Sequence, residues 1–193
     1  MSEDRSAPLP PIERAAIVPW DQEAAFRRFT ADFGQWWPSS THSIGGSLVA
    51  RIVFECELGG RIFEEFKDGR RYQWGRLTAW EPPQRVAFTW HPSKDESVAQ
   101  DVEVTFVPQP SGGTRVVLVS SGWEKLGANA ARARKGYGLG WGGILAVFEE
   151  RRTVSRVVFA CLSHAITLFL KVTGRLEGEI DKAGGRMPPA RVS

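Results

Sequence analysis

Apolar and polar residues alternate through the middle of this chain in a way that sorts it into short strands. Runs of β character recur at 48–57, 61–66, 71–80, 85–90, 98–107 and 114–121. Turn signals separate them at Gly59-Gly60, Asp68-Gly69, Pro82-Pro83, His91-Pro92-Ser93 and Gly112-Gly113, which predicts an antiparallel meander. An earlier run at 12–18, ended by Pro19, adds a first strand. Period-two spacing assigns the faces: Ala50, Ile52, Phe54 and Cys56 oppose Arg51, Glu55 and Glu57, while Val102, Val104 and Phe106 oppose Asp101, Glu103 and Thr105. One face of the sheet is apolar and the other wet.

The helical signals fall on either side of these strands. Asp21 is placed as an N-cap with Glu23 in the first turn, and Phe26, Phe29 and Phe33 follow at helical spacing until Gly34 ends the helix. Trp36-Trp37-Pro38 then opens a Ser/Thr-rich connector that runs to Gly45-Gly46. An apolar sheet face needs a cover, and the amphipathic segment 129–152 supplies one, with Tyr137, Trp141, Ile144 or Leu145, and Phe148 at three- and four-residue steps. Glycines at 136, 138, 140, 142 and 143 each weaken such a helix by up to about 1 kcal/mol relative to alanine. That implies a close approach, or a bend, near Trp141. The expected class is α+β: a curved antiparallel sheet of six to seven strands around a long C-terminal helix, with short helices after the first strand. The expected division is a disordered lead-in at 1–11, a domain at 12–152, and an extension at 153–193 with an apolar helix at 157–170 and a disordered end.

Composition narrows the class. The chain has 193 residues, 42% hydrophobic and 24% charged, which suits one folded core and excludes collagen-like, fully disordered and polytopic membrane proteins. The net charge of +3 is concentrated in residues 151–193, where eight Lys and Arg face three Asp and Glu; the rest is slightly acidic. A field of that shape does not suit a phosphate backbone, so nucleic acid is not expected as a partner. Cys56 and Cys161 are too few for a disulfide scaffold, and the first residues show no apolar signal core, so a cytoplasmic address is expected. The stretch 157–170 would span ~21 Å as a helix, short of the ~30 Å hydrocarbon core. It is expected to pack on this domain or on a second copy, with interfacial membrane attachment as the alternative.

Chemistry-bearing patterns are sparse. Gly138-x-Gly140-x-x-Gly143 has the dinucleotide spacing but neither a strand before it nor an acid about twenty residues on. His42, His91 and His164 stand apart from any Cys or acid at ligand spacing, so no metal is expected; His42 is the one placed near a cavity mouth. Ser120 and Ser121 lack the strained elbow of a serine nucleophile. Glu64 and Glu65 are adjacent in one strand, so one must point inward. It is either a buried acid or base with a raised pKa or, as favoured here, a rim carboxylate paired with Arg61, Arg71 or Arg76.

The order of elements and several local patterns carry a resemblance. These are Trp36-Trp37-Pro38, Gly59-Gly60-Arg61, Gly75-Arg76-Leu77, Glu81-Pro82-Pro83-Gln84-Arg85-Val86, Phe88-Thr89-Trp90, Gly113-Thr114, Gly122, and Gly140-Trp141 followed by Leu145. Over about residues 12–150 the chain resembles the AHSA1-like family, homologues of the C-terminal domain of the Hsp90 ATPase activator within the START-like (SRPBCC) helix-grip superfamily. The resemblance implies a sheet gripping a helix, with a cavity between them for an apolar or amphipathic small molecule. Strand parity then turns Phe54, Gly75, Leu77, Phe88, Trp90, Phe106, Leu118 and Ser120 toward the helix. Trp141 and Leu145 face them from it, and Trp37 closes one end. The rival reading has the same residues filling a dry core. Ser120 stands where similar sequences often carry His, which removes a general base. The function expected is binding of a small molecule, without covalent catalysis or cofactor, in a stress- or chaperone-related setting. The alternatives are a cyclase- or aromatase-like enzyme using the same cavity, and an Hsp90-type co-chaperone interaction module. A homodimer or chaperone contact is the alternative partner, and a membrane is not expected.

Overall fold

The computed structural model describes residues 8–92 and 95–149. The expectations for the start of the lead-in, the helix end at 150–152, the stretch 157–170, Cys161, His164 and the chain end all lie outside the described residues.

Seven strands form one curled antiparallel sheet: β1 Ile12–Val18, β2 Val49–Phe54, β3 Arg61–Phe66, β4 Arg71–Glu81, β5 Arg85–Trp90, β6 Gln100–Pro108 and β7 Thr114–Ser121. Their order is β1-β7-β6-β5-β4-β3-β2, so the first strand closes against the last while the others follow the chain. Rows of inward residues can be read from the register. Ser120 pairs with Ile12 and Val102, Val102 with Phe88, and Phe88 with Leu77. All five are buried, as alternation requires of a sheet with one covered face.

Helix α1, Gln22–Phe29, starts where Asp21 accepts the Ala24 amide at 2.8 Å. It ends sooner than the phenylalanine spacing suggests. Thr30 turns its hydroxyl back onto the Phe26 carbonyl, and Phe33 begins a separate short helix, α2, Phe33–Trp36. Gly34 therefore lies inside α2 instead of ending α1. A Cβ there would lie 2.4 Å from the Ile52 carbonyl oxygen, so the residue lets α2 press against β2.

Strand β2 is shorter than the expected 48–57, and Ala50 and Cys56 are exposed. Only Ile52 and Phe54 keep the inward register, opposite Glu64 and Ile62. Beyond them the Glu55 carboxylate takes the Arg61 amide and guanidinium, which fixes the turn into β3.

Helix α3, Ala130–Glu149, covers the apolar face and buries Trp141, Ile144, Leu145 and Phe148. Its glycines have a partial explanation. Arg14 on β1 donates from Nε and Nη2 to the Gly138 carbonyl at 3.1 and 2.8 Å. Cβ atoms at Gly138 and Gly142 would sit 3.4 and 3.5 Å from that side chain. The expected close approach is thus made by an arginine crossing from the edge strand. Gly140 faces open space, and Tyr137 packs at a tilt against Trp123 of the 3-10 turn Trp123–Asn129.

Two glycine substitutions separate close approach from helix propensity. A Cβ at Gly75 would lie 1.8 Å from the Thr89 carbonyl oxygen, a backbone atom with nowhere to go. Gly75→Ala is expected to destabilise by at least about 2 kcal/mol. Gly140→Ala, in open helical space, is expected to stabilise by about 0.5–1 kcal/mol. Urea unfolding of the two variants checks both signs.

Candidate functional site

One end of the concave face gathers aromatic and polar side chains. The pairing Glu64–Tyr72 places both on the inward face across β3 and β4. Tyr72 partly packs against the core and Glu64 is fully buried. Two residues on, Trp74 is the extra residue of a bulge, since Ile62 pairs with Gly75 and Phe63 with Gln73. The Trp74 carbonyl accepts the His91 amide at 2.7 Å, which ties the bulge to the end of β5. Trp90 then pairs with Gln100, and Ser120 lies one diagonal step further, opposite Val102.

Two more indoles close over this row. Trp141 of α3 lies 5.3 Å from Trp90, ring centre to ring centre. Trp37 contacts Trp74, Trp90 and Trp141 at 5.4, 5.5 and 6.5 Å. Trp74 and Trp90 are 5.6 Å apart. Trp37 donates its indole N–H to the His42 carbonyl at 2.8 Å. By contrast Trp74 Nε1, Trp141 Nε1, Gln100 Oε1 and Ser120 Oγ are buried without a hydrogen-bond partner among the described residues, as is Trp36 Nε1 beside Phe148. Each such group costs about 1–3 kcal/mol, and folded interiors keep few of them. Arg28 Nε on α1 is in the same state, so four of these six belong to the row around Trp90.

Charge is divided between the two faces. Glu65 points outward and takes Arg51 at 3.0 and 3.2 Å and Arg71 at 2.7 Å; these guanidiniums hold its carboxyl below the ordinary range. Glu64 is the inward member of the pair. It is not the arginine-paired rim carboxylate expected: Arg61 pairs with Glu55, Arg71 with Glu65, and Arg76 donates to the Gly59 carbonyl. Strand parity sends those arginines to the wet face. Glu64 accepts the Ile44 and Gly45 amides, each at 3.1 Å, and burial raises its pKa to about 7 against the lowering effect of those two bonds. His42, hydrogen-bonded to Thr41 through Nδ1 at 2.8 Å, is pushed down to about 4 by burial and is neutral near pH 7.

The expected lining residues Trp37, Phe54, Leu77, Phe88, Trp90, Leu118, Ser120, Trp141 and Leu145 are all buried. Phe106 is buried too, but its ring contacts are Phe26 and Phe29 of α1. Gly75 offers no lining surface, because its missing side chain would run into β5; Trp74 takes the inward place instead. Simple parity counted back from Leu77 hides Trp74, and a tryptophan followed by glycine inside a strand pattern was the available sign of the bulge. Gln100 and Tyr72 carried no comparable sign. His91, read as a loop residue, is buried at the end of β5.

Residues 22–151 match the family described as Activator of Hsp90 ATPase homolog 1-like protein. The chain belongs to the AHSA1 family. Among solved structures, an anthrahydroquino-gamma-pyrone synthase is 34% identical, over 74% of this chain and 96% of its own, with a TM-score of 0.52. A self-sacrificing resistance protein, CalC from Micromonospora echinospora, is 24% identical over 72% of this chain and 92% of its own, with a TM-score of 0.52. An AHSA1-like protein from Aeromonas hydrophila is 21% identical over 76% and 99%, with a TM-score of 0.50. The last two share the fold. Comparison with curated proteins gives no match. The AHSA1 match spans the connector, the bulge and the whole of α3, so the tryptophan cluster lies wholly within it. Among the described residues no helix is long and apolar enough to cross a membrane, and no three His, Cys, Asp or Glu gather as a metal site.

The buried Glu64 has a consequence for stability. Its pKa is about 7 in the fold against an ordinary 4.5, so the folded chain holds the proton more tightly than the unfolded one. The stability it contributes is complete below about pH 4.5 and is lost as pH rises through 7, a change on the order of 3 kcal/mol. Urea unfolding from pH 5 to 8 is expected to show a fall in the wild type that Glu64→Gln largely lacks. Equal slopes in the two chains would contradict the buried carboxyl.

Proposed function

We propose that this chain binds a planar, multi-ring small molecule carrying oxygen acceptors and a donor, held between α3 and the sheet around Trp90. One observation carries this reading: among the described residues, two indole N–H donors and two oxygen acceptors stand buried and unbonded in that row. A region built only to pack would place apolar side chains there. A ligand with ring faces for the indoles, carbonyl oxygens for Trp74 and Trp141 and hydroxyls for Gln100 and Ser120 would satisfy all four. Aromatic faces and a few placed polar groups are the usual composition of small-molecule sites. The relative that is 34% identical over nearly its whole length is described as a synthase of a ring compound, which supports a ring-shaped ligand. Because the four indoles touch one another, a guest enters only as Trp37 or Trp141 parts from Trp90. The binding unit is the 12–152 domain, and no cofactor is needed.

A cyclase-type enzyme is the second reading, favoured by Glu64, an ionisable group in the interior. Both of its oxygens are committed to the connector amides, so it would meet a substrate only after the connector moves.

Titration with 2-(hydroxymethyl)anthraquinone, followed by tryptophan quenching, tests the first reading. Saturable binding is expected, at least tenfold weaker in Trp90→Ala and about five- to tenfold weaker in Trp141→Phe, which keeps one aromatic ring and removes the N–H. Native mass spectrometry of protein from its host is expected to show a retained small molecule. Absence of both adduct and saturable quenching would overturn the reading.

A further inference from the structure

The connector between α2 and β2, residues 38–48, lies across the same end of the sheet. Its first part is tied to the tryptophan cluster, because Trp37 donates to the His42 carbonyl and packs at a tilt against Trp74 and Trp90. Much of the remainder is held by short-range bonds: the Thr41 and His42 amides to the Pro38 carbonyl, the Ser43 hydroxyl to the Ser39 carbonyl, and the Gly46 amide to the Ser43 hydroxyl. Ile44 packs on the core, and a Cβ at Gly45 would strike the Phe66 ring at 2.4 Å, so the segment sits close down on β3. Two hydrogen bonds fasten this middle part to the sheet, and one side chain accepts both: Ile44 N–H to Glu64 Oε2 and Gly45 N–H to Glu64 Oε1.

We propose that residues 38–48 form the gate to the interior and that Glu64 is its latch, which holds while its carboxyl is protonated and releases as it ionises. The direction follows from what surrounds the carboxyl. Glu64 is fully buried, and two neutral amides are a poor exchange for the hydration that an ionised carboxylate would keep with the gate open. Facing it are Ile52 of β2, Tyr72 of β4, and Ile44 with Gly45 of the connector; His42, two residues before Ile44, bonds to Thr41 and contacts Trp37. The charged groups of these strands, Arg51, Glu65 and Arg71, and Glu55 with Arg61, are engaged with one another on the outer side. Burial keeps His42 neutral above about pH 4, so it does not titrate in the same window. The pKa of about 7 with the gate shut, against an ordinary 4.5 once hydrated, agrees in sign: linkage makes ionisation favour the open form. Over pH 5.5–8.5 those two values imply an increase in the open population of roughly 30-fold.

The gate rests on the binding reading only for what passes through it; its movement is measured with no ligand present. Hydrogen exchange of the full chain, corrected for the intrinsic rate, is followed at the Ile44 and Gly45 amides from pH 5.5 to 8.5, with Phe88 and Val102 as sheet references. Protection at Ile44 and Gly45 is expected to fall at least tenfold while the references hold, and to stay flat in Glu64→Gln. Glu64→Met serves as a second uncharged variant should the first not fold. Flat or rising protection in the wild type, or the same fall in a neutral variant, overturns the latch. In parallel, association of 2-(hydroxymethyl)anthraquinone, which does not titrate in this range, is expected to quicken with pH. Unchanged association beside a moving connector overturns the gate while leaving binding intact. Loss of binding with the exchange result intact overturns only the ligand reading.

Discussion

The constraint on which this molecule turns is that seven strands present one continuous apolar face and α3 must cover it. Burial of that face is the dominant stabilising term, and it dictates where every large side chain can go. Val86, Val104 and Leu118 fill the middle with aliphatic side chains, all fully buried. At the end near Trp90 the sheet curls, the bulge at Trp74 adds a ring, and the cover is completed by Trp37 and Trp141. Aromatic rings reach further than aliphatic chains, so four of them in contact close that end. Two of these four indoles bring buried donors that no group among the described residues meets.

Much of the architecture was legible in the sequence because alternation and turn residues coincide. β1, β3, β5 and β7 run between the residues that the pattern of apolar positions marks, and the α3 stripe from Trp141 to Phe148 is buried as its spacing requires. What was not legible depended on single contacts between distant segments. Nothing local says that Thr30 ends α1 on the Phe26 carbonyl, or that the glycines of α3 make room for Arg14 from the opposite end of the chain.

The candidate site divides in the same way. Residues set by simple parity, such as Phe88, Trp90 and Leu118, are where the strand pattern puts them. A bulge shifts parity by one, which exchanges Gly75 for Trp74 as the inward residue. Glu64 shows a different limit. Parity could say that one of two adjacent carboxylates faces inward, and the arginines nearby made a rim ion pair the natural partner. Those arginines are taken by Glu55 and Glu65 on the other face. The inward carboxyl bonds instead to backbone amides of a connector about twenty residues earlier in the chain.

The family match and the 34% identical synthase place this arrangement among proteins of one fold, and the unbonded polar atoms around Trp90 are the ground for the proposed ligand. A crystal structure of the chain soaked with 2-(hydroxymethyl)anthraquinone tests that most directly. The account predicts the rings lying among Trp37, Trp90 and Trp141, with an oxygen about 3 Å from Nε1 of Trp74 or Trp141. Clear density for the compound at some other place, with both indole N–H groups met by ordered water, would contradict it.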